Sequence, residues 1–354
     1  MSARAWAAFA AVSTLWGMPY LFIKVAVDDG VSPVFLAWVR IVLGGVVLLG
    51  LAWRAGTLHA LRGRWRWIAV FGVAEITLPF PLIAAGEQHV ASSLAAIIVA
   101  AAPLFVALLA LRFDASERVT GSRLVGLVVG LGGVVALVGI DVAGRGDEML
   151  GALAILTAAF CYAVGPMVLK RHLADLDPRA SMGAALAVAA AILTPAVVAS
   201  PPDEMPSGSA ILALVVLGLF CTAAAFVFYG ALVAEAGPGR ALVITYVAPV
   251  VALALGVAVL GEHVGAGAVV GLLLILAGSW LSTDGRLPPG LARRVSRFGS
   301  RRVRSSGAAV PDEPRWVTRE TPDREARGCT RCSPPKIEGF RAFAAAGADV
   351  PSVP

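Results

Sequence analysis

Apolar runs of about 20 residues alternate with short polar breaks over residues 5 to 283, and most ionisable side chains fall in the breaks. About 20 apolar residues is what a helix needs to cross roughly 30 Å of hydrocarbon. Ten such runs can be drawn, at 5–27, 34–53, 66–86, 91–111, 121–141, 149–170, 181–200, 209–231, 238–260 and 265–283. Inside a bilayer every backbone polar group must be satisfied within its own segment, so each run predicts a helix. The expected fold is an all-α integral membrane protein with ten transmembrane helices and a polar tail.

The pattern is duplicated at an offset of about 146 positions, which sets Pro249 over Pro103, Lys170 over Lys24, Tyr162 over Trp16 and Gly218 over Gly72, with Glu262 over Glu117 one position short. A repeat of this length fixes the architecture before any single motif does. It predicts two five-helix units, 5–141 and 149–283. An odd number of spans makes the second unit enter the membrane from the opposite side, so the repeats are inverted. Secondary transporters built this way carry their site near the midplane, lined by both halves.

Composition agrees with this reading. Hydrophobic residues make up 58% of the chain and charged ones only 15%, against roughly 25% charged in soluble domains. The formal charge of +6 does not describe a nucleic-acid surface, because the arginines collect between apolar runs and after the last one. One set of breaks holds Arg54, Arg62, Arg64 and Arg66, then Arg112, Arg118 and Arg123, then Lys170, Arg171 and Arg179, then Arg240; the alternate set is mainly acidic, with Asp28, Asp29, Glu87, Asp147, Glu148, Asp203, Glu204 and Glu262. The positive-inside rule then puts both termini in the cytoplasm of a plasma-membrane protein. The first run carries Trp16 and Lys24 and is expected to remain as a span rather than be cleaved. After Ser282 the basic stretch Arg286 to Arg304 is suited to anionic lipid headgroups, and the remainder of 284–354 is expected to be disordered.

The Trp-Gly segment ending at Lys24, Arg40 early in the second helix, the proline-bearing fourth and ninth helices, and Glu117 and Glu262 opening glycine-rich helices together resemble the EamA family of the drug/metabolite transporter superfamily. The resemblance covers about residues 6 to 282. It implies two EamA repeats, ten helices, export or exchange of small metabolites or amino acids, and a cavity lined by the first, third, fourth, sixth, eighth and ninth helices. This chain departs from internal symmetry at Leu186, where Arg40 would fall, and at Cys221, where Glu75 would fall.

Glu75 is the sharpest candidate. A charge in mid-helix costs about 2.5 to 3.5 kcal/mol on insertion scales, so it marks a site for a cation, an amine or a proton unless it is a neutral acid bonded to a neighbouring helix. Arg40 has three expected roles: an ion pair with Glu75, contact with the cavity, or a reach outward to Asp28 or Asp29. Pro103 and Pro249 each remove a helix hydrogen bond and act either as hinges that line a cavity or as plain kinks. Pro79 and Pro81 are expected to make an irregular end to the third span. Trp16, Tyr162 and Tyr246 lie inside spans, as cavity lining or as packing. Lys24 and Lys170 stand near helix ends, where snorkelling is the simpler account and gating the alternative. Gly126, Gly130 and Gly133, with Gly267, Gly271 and Gly278, form stripes that allow close helix approach. Glu117 and Glu262 suit helix N-termini.

The expected function is secondary transport of a small organic metabolite, outward, by alternating access coupled to protons or exchange, with no metal and no cofactor. A flippase-like carrier of a lipid-linked molecule is the alternative. A membrane-embedded enzyme is disfavoured, since the spans hold no histidine and no HExxH pattern, and no Gly-rich phosphate loop with lysine points to ATP. The four histidines fall in expected loops, and Cys329 and Cys332 form a lone CxxC without the four ligands that structural zinc requires. The expected partners are the substrate and anionic lipid, with no nucleic acid; a homodimer is left open.

Overall fold

The structure is a computed structural model that describes residues 2–113, 121–139, 145–202, 204–237, 241 and 243–282. Glu117, the basic tail and Cys329 and Cys332 lie outside the described residues. Among the described residues there is helix and no strand. Seven helices are long and apolar enough to cross a membrane: α1 (Ala3–Asp28), α2 (Pro33–Arg54), α3 (Trp65–Glu87), α4 (Ser92–Leu109), α6 (Gly146–Leu173), α7 (Pro178–Ala199) and α8 (Gly208–Ala236). Three shorter apolar helices complete the numbering: α5 (Arg123–Leu137), α9 (Ile244–Leu260) and α10 (Ala266–Ser282).

Helix starts are written in the sequence. Ser32, Asp177 and Ser207 accept hydrogen bonds from the backbone N–H of Phe35, Arg179 and Ala210, so α2, α7 and α8 begin on side-chain caps. Pro33 and Pro178 occupy first-turn positions, where a missing N–H costs nothing. The start of α4 has no such cap, since its flanking residue is Ala91.

The helices before residue 140 pack mainly against those after residue 145: α5 on α10, α2 on α7 and α8, α3 on α6, α1 on α8 and α9, and α4 on α6 and α9. Buried apolar residues form clusters along these seams, one built on Ile41, Leu48, Phe71 and Leu186, another on Ile97, Leu104, Leu137 and Ile275. The other faces expose large apolar side chains such as Val46, Val128, Val135, Val198 and Leu273. A soluble protein rarely exposes so much apolar surface, whereas lipid is a solvent for it.

The glycine stripes meet as expected. Gly130 and Gly278 face each other so closely that a Cβ on Gly278 would overlap the Gly130 backbone, and Gly133 lies against the Gly271 carbonyl. Absence of side chains is what lets α5 and α10 pack backbone to backbone.

Among the described residues three helices contain a complete π turn, at Val73–Thr77 in α3, Leu169–Leu173 in α6 and Val216–Ala224 in α8. Such bulges recur at functional sites. Two of them have a side-chain wedge, because Thr77 Oγ1 donates to the Gly72 carbonyl at 3.2 Å and Thr222 Oγ1 to the Leu217 carbonyl at 2.9 Å. The third span was expected to become irregular at Pro79 and Pro81. Instead the irregularity lies just before them, and α3 runs on to Glu87 with Pro79 in the first turn of its second segment. The two central prolines also differ. α4 breaks at Ala100 and Ala101, just before Pro103, whereas α9 passes Pro249 without interruption. His172, expected in a loop, lies in the π-turn end of α6 and stacks on Trp67 at 3.5 Å between ring centroids.

Candidate functional site

The π turn of α3 carries Glu75 against α6. Its Oε2 is buried without a hydrogen-bond partner and lies over Gly165, where a Cβ would collide with it. Gly165 precedes Pro166, so α6 is both narrow and short of one backbone N–H at this level. The electrostatic neighbours of Glu75 are Cys161 and Tyr162 on α6 and Tyr229 on α8. Tyr229 in turn packs on Trp16 of α1 at 4.9 Å between centroids, and Phe226 meets the same indole edge-on at 5.7 Å. Four helices therefore bring one unpartnered carboxylate and an aromatic group together. A buried acceptor that finds no donor costs about 1 to 3 kcal/mol, more when charged, and a bound cation or proton would remove that cost.

Arg40 joins this region from the other side. It is buried, its Nε donates to Thr222 Oγ1 at 2.9 Å, and its guanidinium stacks over Phe80 at 4.0 Å. Tyr20, Tyr162, Cys221 and Glu87 surround it electrostatically. The ion pair with Glu75 is not formed, and neither is an outward reach to Asp28 or Asp29. The reason is geometric: α2 packs on α8, so the Arg40 side chain is taken up by the π turn of α8. Thr222 was not singled out from the sequence, although a threonine inside an apolar span beside Cys221 is a readable signal.

Glu75 and Tyr162 are thus brought together, Trp16 joins them through Tyr229, and Arg40 faces Tyr162. Pro103 stands instead beside Ala101 and Leu104, in the cluster shared with α5 and α10. Pro249 is buried in α9 next to Ala248, which packs in the cluster containing Ala5 and Val12 of α1, and Tyr246 is half-buried three residues before it. Beside Glu75 an apolar groove of about 420 Å³ opens between α3 and α6, lined by Val70, Val73, Ala74, Leu78, Phe160 and Val164 among others. Among the described residues no three His, Cys, Asp or Glu side chains gather as a metal site requires.

The helix ends near Glu87 and Ser92 hold two features that the sequence did not announce. Glu262 caps α4 rather than the helix that follows it: its carboxylate accepts from the Ser92 N–H at 2.7 Å and the Ser93 N–H at 2.9 Å. Gly261 makes this reach available by ending α9 in the left-handed region, at φ 66°. Burial pushes the Glu262 carboxyl up, but the donors from Ser93 and Ser92 outweigh it and hold the group below its ordinary value. Lys24 does not simply reach for solvent. Its Nζ pairs with Asp28 at 2.7 Å and donates to the Glu87 carbonyl at 3.1 Å, tying α1 to the end of α3.

Comparison with known proteins gives this geometry a family. The chain is 29% identical over 256 residues to the uncharacterized inner membrane transporter YedA of Escherichia coli K12, covering 71% of this chain and 81% of that one. It is 26% identical to a probable amino-acid metabolite efflux pump of the same strain, over 77% of this chain and 93% of the other. To a probable terminal-alkyne amino-acid exporter of Streptantibioticus cattleyicolor it is 30% identical, over 85% and 99% of the two chains. A solved crystal structure shares the fold at a TM-score of 0.58 and 24% identity, over 80% of this chain and 98% of the other. The family model of EamA-like transporters matches residues 4–139 and 149–283, and the chain belongs to the EamA-like transporter family.

Proposed function

We propose that this protein is a secondary transporter that exports a small organic metabolite carrying an amine, with Glu75 as the carboxylate that receives the cation. The observation that carries this reading is the buried, unpartnered Glu75 Oε2 where α3, α6 and α8 meet, ringed by Tyr162, Tyr229 and Trp16. Intramembrane carboxylates are costly unless something binds them, and aromatic faces suit an ammonium group. The names of two relatives, an amino-acid metabolite efflux pump and an amino-acid exporter, support the substrate class.

In this reading residues 5–141 and 149–283 are inverted five-helix repeats, the seven long and three short apolar helices make ten spans, and both termini face the cytoplasm of the plasma membrane. The arginine-rich breaks support that orientation. The basic stretch after α10 rests on anionic lipid. Alternating access moves α3 and α8, each weakened by a π turn, against the neighbours that line the site. Arg40 holds the α8 turn through Thr222, and coupling is by protons or by exchange.

A second reading, a carrier of an amphiphilic or lipid-linked molecule, is favoured by the apolar groove beside Glu75. The test is a metabolite panel on cells expressing the wild-type chain or Glu75→Gln, scoring extracellular accumulation of amino acids and amines. Wild-type export of one class with loss in the variant is the expected result. Equal profiles in the two strains, with both proteins in the membrane, would refute the Glu75 site.

A further inference from the structure

α3 carries a second carboxylate without a partner. Glu87, the last residue of the helix, is 0% exposed, and neither Oε1 nor Oε2 has a hydrogen-bond partner. From its flanks it reads as an acid in an outer loop. The helix, however, continues one residue past the apolar run, which ends at Gly86. Gly86 is held so tightly against Ile155 and the Gly151 carbonyl of α6 that the next side chain is turned into the protein.

Every charged group around Glu87 belongs to another element. Lys24, Asp28 and the Tyr20 hydroxyl come from α1, Arg40 from α2, and Glu262 from the turn after α9; α6 places Gly151 and Ile155 against the neighbouring Gly86. Lys24 is the nearest cation, yet its Nζ is spent on Asp28 Oδ1 and on the Glu87 backbone carbonyl, so the carboxylate itself receives nothing. Glu262 does not compete for that cation, because both its oxygens are occupied by α4. The arrangement is an enclosed acid with an ammonium group on its rim that is held by other acceptors. A buried carboxylate left so is costly.

We propose that Glu87 is a second cation-binding carboxylate, an outer station that takes a proton or the primary ammonium group of a small organic cation, with Lys24 as the protein's own competing cation. Glu75 and Glu87 lie twelve positions apart on α3, about 18 Å at 1.5 Å per residue, so a cation leaving the Glu75 site meets a second acid before it reaches the outer surface. Its direction of travel rests on the export reading above; the binding chemistry does not.

The test needs no transported substrate. The full chain is reconstituted in phosphatidylethanolamine and phosphatidylglycerol vesicles, and the protonated-carboxyl C=O stretch is followed by infrared difference spectroscopy in wild type, E75Q, E87Q and K24Q, with and without methylammonium. The expected result is a carboxyl band that survives in E75Q and is lost in E87Q. Suppression of that band by methylammonium identifies an ammonium site, and a band indifferent to methylammonium identifies a proton site. If methylammonium binds, K24Q binds it more tightly by about tenfold, the size of an ordinary coupling between two sites. Should E87Q fail to assemble, E87D must shift the band. Identical spectra for wild type and E87Q, or for wild type and E87D, in both conditions would overturn the proposal. Absence of export with the Glu87 band present would instead count against the transport reading alone.

Discussion

Thr77 and Thr222 stand 145 positions apart, one short of the 146-position repeat, and each wedges open a π turn by donating to a carbonyl five residues back. The likeness extends to the helix ends. Asp29, just past α1, accepts from the Ser207 N–H at the start of α8, and Asp175, 146 positions later and just past α6, accepts from Arg64 at the start of α3, each at 2.9 Å. The charges in the middle differ. The first half places Glu75 in its π turn and Arg40 in α2; the second has Cys221 and Leu186 at the same positions, both fully buried. Phe80 lies under the Arg40 guanidinium, while its counterpart Phe226 packs on Trp16. The duplicated part is the scaffold, which packing and capping require twice. The acid and the cation occur once, since a second pair would double the cost of burying charge.

The largest effect that would test this comparison comes from forcing the halves alike. Leu186→Arg puts a charge at a fully buried apolar position, at a cost of about 3 kcal/mol on insertion scales, and the variant should fail to accumulate in the membrane. Arg40→Leu is the reverse exchange. Replacing a buried charge by an apolar residue is often neutral for stability, so normal abundance is expected, with export about 100-fold slower, roughly 2.7 kcal/mol. Equal abundance of both variants in a membrane blot would contradict the asymmetry.

Gly165→Ala sharpens the point at smaller cost. The new methyl displaces the Glu75 carboxylate, and export should fall about tenfold, roughly 1.4 kcal/mol, while the same change at Gly50, where nothing lies within reach of a Cβ, leaves it unchanged. Glu262→Gln should have the smallest effect, about 1 kcal/mol, the ordinary worth of a helix N-cap. Because the folded carboxyl is held below its ordinary value, its contribution is fully present above about pH 4.3 and is lost as pH falls through the lowered value. Thermal unfolding of the variant should therefore lack that part of the wild-type fall in acid.

Much of this was legible in the residues. Ten apolar runs, the 146-position echo, the glycine stripes and Glu75 can all be read from spacing and from the cost of a charge in hydrocarbon. What stayed hidden depends on which helix meets which. Nothing local tells that Arg40 would find Thr222, 182 positions away, rather than Glu75. Glu262 reads as the start of its own helix, yet Gly261 turns it onto α4. Glu87 stands beside Gly86, Gln88 and His89, a polar-looking flank, and only the packing of Gly86 on α6 reveals it as buried. Pro103 and Pro249 share a register but not an outcome, because α4 breaks and α9 does not.

The most direct measurement is the initial rate of export of the panel's substrate in Glu75→Gln and in Cys221→Ser, at equal membrane abundance. Background transport in the first and near wild-type transport in the second is the expected result, placing the chemistry in one half of a duplicated scaffold. Wild-type transport in Glu75→Gln, or equal loss in both variants, would contradict it.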